Sequence, residues 1–342
     1  MRLMSLTELK GDVDANASLH LPDLIYDIDS RDHALSFEIA RMSEHLPGED
    51  DVVGIKLIRG NTSAQYMFSK WSRQQLLSLL GTREKWFIPV ELEQQAAELN
   101  IRKHALGYYN FRTSRAVDDD FPVHFVRGIV SSVYADIPNT EIMDAIIEKM
   151  PVESMALRAY SGLTDRAFYA YVVSPDPITI PGTSFFAYPG AVIKNSEVGY
   201  TSLWVIPMLM LRFQGVPFVL ESKAVLKRVH RGKVNLSEKF EEAFSKCSAL
   251  WSGFSAKIPH LVSKTYSTAD ATMDAMERML VAAGAAKDFL QKCRTAYPTA
   301  PRNHTALDIV DTIAEVCASC ADRDDSYVMG SVAGAVLYKL LF

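Results

Sequence analysis

The residue pattern nearest to a metal site is Cys293-x10-His304-x12-Cys317-x2-Cys320, two thiols at knuckle spacing with a thiol and an imidazole upstream. Zinc accepts such sulfur and nitrogen ligands in a tetrahedral shell. A second paired knuckle is missing, however, and Cys317 and Cys320 fall among Ala314, Ala318 and Ala321 at helical spacing. Thiols in that setting read as small buried packing groups. The acidic run Asp118-Asp119-Asp120 beside Pro122 could hold a metal for nuclease chemistry, but an isolated acidic run reads first as a solvated turn. The chain has no G-x-S-x-G, P-loop, G-x-G-x-x-G or H-E-x-x-H motif, and its eight histidines are scattered. No catalytic residue, metal or other cofactor is expected.

Two stretches suit nucleic acid better. "IRKHALGYYNFRTSR" (101–115) interleaves four bases and His104 with Tyr108, Tyr109 and Phe111. Aromatic faces stack on unpaired bases while cations hold the backbone. "KAVLKRVHRGK" (223–233) carries five bases and no acid, and its Gly232 lets a phosphate approach the main chain. Arg112, Arg115, Lys227, Arg228, Arg231 and Lys233 would then neutralise phosphate, Tyr108, Tyr109 and Phe111 would stack, and Arg127 and His230 would belong to the same surface. Each stretch also has a packing explanation. The first reads as a helix end followed by a strand with core aromatics. The second reads as a basic strand edge, where lysine blocks edge-to-edge aggregation.

The elements that must position these residues follow from composition and period. The chain has 342 residues, 48% apolar and 23% charged, and a net charge of −5. At about 150 residues per domain this is material for two units, and nothing in the total charge favours polyanions. Residues 1–50 hold eleven acids against four bases, an acidic N-terminal segment. An α+β core domain over 51–235 and a C-terminal helical lobe over 236–342 complete the expected division. Four cysteines make no disulfide framework. The start of the chain lacks the apolar core of a signal peptide. The longest apolar run, "LWVIPMLML", has nine residues and contains Pro207, against ~20 for a membrane span. A reduced, cytoplasmic protein away from membranes is expected.

Period assigns a helix to 32–46, a strand to 52–58, a helix to 64–81 stopped by Gly81, and a second helix opened by Pro89. Residues 123–136 read as β, 139–150 as a helix capped by Asn139 or Thr140, and 154–174 as a hairpin. Further strands follow, with turns at Asn195–Gly199 and Gly215. From Leu236 the period is helical: Phe240, Phe244, Cys247, Trp251 and Phe254 form one stripe, with Asn235 and Glu238 near a capping box. The fold class is α+β, a central mostly antiparallel sheet with N-terminal helices and a C-terminal helical lobe.

With these segments placed, the chain resembles the phage/plasmid-like family of unknown function numbered 932. The likeness is carried by "MFSKWSRQQLLSLLGTREKWFIPVELEQQAAELN", by "VRGIVSSVYADIPNTEIMDAI" through Arg127, Ser131, Tyr134, Ile137 and Asn139, and by "YPGAVIKNSEVGYTSLWVIPMLMLRFQG". Phe213-Gln214-Gly215 stands where that family has Cys-x-Asn-Gly. "VHRGKV" matches its Arg-His-x-Gly element with the two basic residues exchanged. The resemblance implies a mobile-element context and a hairpin turn at Asn195–Gly199 between two central strands. Element order alone is similar to phage single-strand annealing proteins of the RecT and Red-beta kind, which assemble into rings or filaments without a cofactor. Together these readings lead to a single-stranded nucleic-acid-binding protein of recombination or replication, acting as a homo-oligomer. A protein-interaction module using the acidic N-terminal segment as a decoy, and a metal-dependent nuclease, are the alternatives.

Overall fold

The computed structural model describes residues 3–26, 33–40, 52–59, 62–87, 89–103, 109–115, 124–151, 153–179, 186–211, 216–297, 304–319 and 323–342. Strand β1 (Leu3–Ser5) leads directly into helix α1 (Leu6–Ala17). A capping box starts that helix: the Ser5 Oγ accepts the Glu8 N–H at 3.1 Å, and the Glu8 carboxylate accepts the Ser5 N–H at 2.7 Å. Then come β2 (His20–Tyr26), β3 (His33–Ala40), β4 (Val52–Arg59), β5 (Thr62–Phe68), α2 (Lys70–Leu79), α3 (Glu84–Phe87) and α4 (Leu92–Arg102). The central part holds β6 (Tyr109–Arg115), β7 (His124–Ser131), α5 (Asn139–Lys149), β8 (Met155–Leu157), β9 (Gly162–Leu163), β10 (Phe168–Val173) and β11 (Ile178–Thr179). It continues with β12 (Phe186–Asn195), β13 (Leu203–Leu211), β14 (Val216–Val219) and β15 (Leu226–Arg228). Helices α6 (Leu236–Ser255), α7 (His260–Ser263), α8 (Ala269–Ala282), α9 (Lys287–Ala296), α10 (Ala306–Ala318) and α11 (Arg323–Leu341) complete the chain.

The α+β class is as the sequence implies, but the first third holds more strand than its period suggests. Residues 33–40 of the expected helix 32–46 are a strand. Leu35, Phe37 and Ile39 alternate with Ser36 and Glu38, and Leu35 and Phe37 are buried, which is the two-residue period of a sheet. Residues 64–68 belong to β5, and the helix begins only after Ser69, whose side chain caps it by accepting the Ser72 N–H at 3.1 Å. Pro89 does not open α4; Glu91 precedes its first turn.

Two sheets result. The larger runs β1-β8-β10-β12-β13-β14, with β9 on β10, β11 on β12 and β15 on β13, and every pairing is antiparallel. The smaller runs β2-β6-β7-β5-β4-β3, with one parallel contact, β5 on β7. The described part of the acidic first fifty residues is built into the fold: β1 and β2 edge the two sheets, and α1 packs on α5.

One face of the larger sheet buries Ala170, Ile193 and Val205 against α1, α5 and α6 through Leu9, Ile142 and Phe240. In α6 the expected stripe is buried at Phe240, Phe244, Cys247 and Phe254, with Trp251 half-buried, and the Asn235 side chain caps the Glu238 N–H at 3.3 Å. The other face carries Tyr169, Tyr171, Val192, Ile206 and Met208, covered in part by Tyr327 of α11. Helices α7–α11 gather around Leu209 and Phe218 to form the C-terminal lobe. α11 lies close on β14: a Cβ at Gly334 would overlap the Val219 carbonyl. Among the described residues no helix is long and apolar enough to cross a membrane.

Candidate nucleic-acid interface

A β-strand sends alternate side chains to opposite faces, and this divides the first expected stretch. In β6 Phe111 and Thr113 point inward, at 0% and 1% exposure, and half-buried Tyr109 packs against the same core. Phe111 is therefore a core residue and is removed from any stacking surface. Arg112 faces the other way and donates to Asp136 at 3.0 Å, with its guanidinium 5.9 Å from the Tyr134 ring centroid. Arg115 pairs with His124 at the end of the β6–β7 ladder. His104 and Tyr108 lie outside the described residues, as do Asp118–Asp120, Phe213-Gln214-Gly215 and Cys320.

Arg127 and His230 join Arg112 in a polar seam built around the Asn195–Gly199 turn. That turn links β12 to β13 as expected, and Gly199 takes φ +78, a left-handed conformation that costs other residues dearly. The Glu197 side chain is 9% exposed and holds two elements at once. One carboxylate oxygen accepts from Arg127 at 3.0 Å, and the other accepts the Asn139 N–H at 2.8 Å. The N-terminus of α5 is thus capped by a carboxylate from the β12–β13 turn. The expected cap from Asn139 or Thr140 is replaced, because the Asn139 side chain instead accepts from Asn195 Nδ2 at 2.8 Å. An anion here also complements the helix dipole.

The same turn fastens the smaller sheet to the larger. The Val198 carbonyl accepts from Trp71 Nε1 at 3.1 Å and from Gln75 Nε2 at 2.9 Å, both on α2. Ser196 Oγ donates to the Arg166 carbonyl at 2.7 Å and accepts the Tyr200 N–H at 3.0 Å. The Tyr134 hydroxyl donates to the Ser196 carbonyl at 2.5 Å. Two histidines flank the seam. His20 Nδ1 lies 3.2 Å from Arg127 Nη2, and since arginine only donates, Nδ1 is the acceptor. Burial, then the adjacent Arg127 charge, lowers the His20 pKa. His230 stacks on Tyr134 at 4.6 Å and donates from Nδ1 to the Ala135 carbonyl at 3.1 Å, and burial lowers its pKa. Arg112, Arg127 and His230 are brought together, but each is committed to a partner within the fold.

The second basic stretch lies where the sequence suggests, on a sheet edge. β15 pairs with the first half of β13, and Lys227, Arg231 and Lys233 are exposed. Arg228 donates to the Arg231 carbonyl at 2.6 Å, bending the chain after the strand. What the linear sequence does not display is the company these cations keep. Tyr169 of β10 pairs with Lys194 of β12, Lys194 pairs with Trp204 of β13, and Trp204 pairs with Lys227 of β15. Directly opposite residues share a face, so this is one row of aromatic, cation, aromatic, cation, with its Tyr169 end buried at 1% exposure and its Lys227 end exposed. At ~4.8 Å between strands the row spans roughly 15 Å. Lys227 Nζ lies 4.2 Å from the Trp204 ring, and Lys194 Nζ lies 5.6 Å from the ring of Tyr169 and 4.0 Å from that of Tyr327. At the turn end of the row Arg166 covers Tyr200 at 4.9 Å. Sequence reasoning missed Tyr169, Lys194, Tyr200 and Trp204. The hairpin turn held the signal, since it sets the register that pairs Lys194 with Trp204.

Of the cysteine pattern, Cys293 and Cys317 are buried within the helical lobe. Cys247, Cys293 and Cys317 are buried and in no disulfide, and burial pushes the Cys247 and Cys293 thiols up to about 12. His304 Nδ1 lies 3.4 Å from the Tyr297 hydroxyl. Among the described residues no three His, Cys, Asp or Glu side chains are grouped to hold a metal. Compared with known proteins, the chain matches no family model, no curated protein and no solved structure.

Proposed function

We propose that the chain binds single-stranded nucleic acid on the outer part of this row, as a phage- or mobile-element protein of DNA annealing or recombination that works as a homo-oligomer without a cofactor. The observation that carries the reading is the cross-strand register Lys194–Trp204–Lys227, the part of the row outside buried Tyr169. A ring between two ammonium groups on one face suits a chain that alternates bases and phosphates. Exposed Arg231 and Lys233 extend the positive charge beyond Lys227. The mobile-element context rests on the sequence motifs alone. The test is a fluorescence anisotropy titration with labelled single- and double-stranded oligonucleotides across salt. Preference for single strands with a salt-dependent Kd supports the reading. No binding at low salt refutes it and promotes the protein-interaction alternative.

A further inference from the structure

An open sheet end invites another strand, and each end of the two sheets is closed in its own way. β1 has three residues, β2 carries Pro22 and a register shift, and β14 lies under α11, where a Cβ at Gly334 would overlap the Val219 carbonyl. β3 is different. It is eight residues long, pairs with β4 in unbroken register from His33 to Ala40, and ends the smaller sheet. In an antiparallel ladder every second residue turns both its N–H and its C=O away from the paired neighbour. Leu35 and Phe37 are such residues, and α4 meets their outward groups. Asn100 Oδ1 accepts the Phe37 N–H at 3.0 Å, and Asn100 Nδ2 donates to the Phe37 carbonyl at 2.8 Å. Lys103 Nζ donates to the Leu35 carbonyl at 2.7 Å.

A side-chain amide carries the donor and acceptor of a peptide group. Asn100 therefore does for Phe37 what one residue of a neighbouring strand would do. Its other Nδ2 hydrogen goes to the Ala96 carbonyl at 2.9 Å, so both are used. The helix that holds these groups is lightly anchored. Ala96 and Leu99 are its buried residues, and Glu91 at its start makes no side-chain cap, whereas Ser69 caps α2. An element with few buried contacts opens at less cost than the sheet it covers. We infer that Asn100 and Lys103 form an autoinhibitory plug on β3, closing an edge that otherwise takes the β3 strand of a second copy. The pairing that competes with the plug is antiparallel and centred on Phe37, because the two Phe37 residues then exchange the two bonds that Asn100 now makes. It sets Ser36 opposite Glu38 of the second copy, so no like charges meet across the join, and Lys56 Nζ already lies 3.4 Å from the Glu38 carboxylate. The inference gives an interface to the homo-oligomer proposed above and rests on that part of the reading alone.

Sedimentation of the full chain across concentration, with hydrogen exchange at the Phe37 amide, tests the plug. Asn100→Asp exchanges the donor to the Phe37 carbonyl for a second acceptor. It should speed Phe37 exchange in dilute solution and tighten self-association by roughly tenfold or more. Lys103→Met leaves the amide in place and should act in the same direction more weakly, which keeps the test valid if Asn100→Asp misfolds. Adding Ser36→Glu to either variant sets a carboxylate opposite Glu38 and should return self-association to the wild-type level, whereas adding Ser36→Lys should tighten it further. Folded variants that associate no more than the wild type overturn the plug; if all of them share one concentration-dependent mass with the wild type, the homo-oligomer stands on another surface. Association that rises on unplugging but ignores Ser36→Glu overturns the β3 pairing.

Discussion

Residues 101–115 and the row across β10, β12, β13 and β15 both mix rings with cations, yet they differ in the direction of the mixture. In the first, rings and cations interleave along one strand, and the pleat sends them apart: Phe111 enters the core and Arg112 faces Asp136. In the second, they interleave across strands, and the pairing puts Tyr169, Lys194, Trp204 and Lys227 on one face. A mixed row of rings and cations on one face of a sheet is written perpendicular to the chain. Alternation along the chain instead describes a strand with one buried face.

The largest expected effects separate the two regions by stability. Phe111→Ala should lower unfolding free energy by about 3–5 kcal/mol, as for buried aromatics in general, while a Trp204→Ala change at the half-buried row should cost less. Glu197→Ala should also cost about 3–5 kcal/mol, because it leaves Arg127 without its carboxylate and α5 without its cap. Chemical denaturation measures both. If Glu197→Ala melts like the wild type, the seam is not what fastens the sheets. Gly199→Val should cost roughly 1–2 kcal/mol or more through its left-handed backbone. A variant that keeps its stability but loses all binding would instead make the turn a binding element.

Smaller effects sharpen the comparison on the binding side. The triple change Lys227→Glu, Arg228→Glu and Arg231→Glu should flatten the log–log salt slope by about 2, at about 0.7 per single-strand phosphate. Lys227 and Arg231 are exposed charges that contribute little to folding, so any fall in melting temperature should trace to half-buried Arg228 and its bond to the Arg231 carbonyl. Smallest is the pH dependence. His20 and His230 have folded pKa values lowered from the 6.5 reference. The unfolded chain therefore binds more protons as pH falls below about 6.5, and stability falls with it. Melting temperature should drop from about pH 7.5 to about pH 5.5, and His230→Gln should reduce the drop. A flat profile would contradict the lowered pKa of both rings.

Much of the frame was legible from local chemistry. The α6 stripe, the Asn195–Gly199 turn and the β15 edge all follow from period and turn residues. Ser5-x-x-Glu8 is a capping box in plain view, masked by the acidic composition around it. β3 is harder, because an alternating Leu35-x-Phe37-x-Ile39 run is short enough to sit inside a helical window. The row and the seam were not legible at all. Tyr169 and Lys227 lie 58 positions apart, and only the combined register of four strands brings them into line. The Glu197 cap of α5 likewise joins residues 58 positions apart.

The most direct test of the central claim compares Trp204→Ala with Tyr109→Ala in anisotropy titrations on a single-stranded oligonucleotide. The row predicts that Trp204→Ala weakens binding by about 1–3 kcal/mol with an unchanged salt slope. Tyr109→Ala, packed against the core of the smaller sheet, should alter stability and leave affinity within about 0.5 kcal/mol. The reverse result, affinity lost with Tyr109 and kept without Trp204, would return the interface to residues 101–115 and contradict the account.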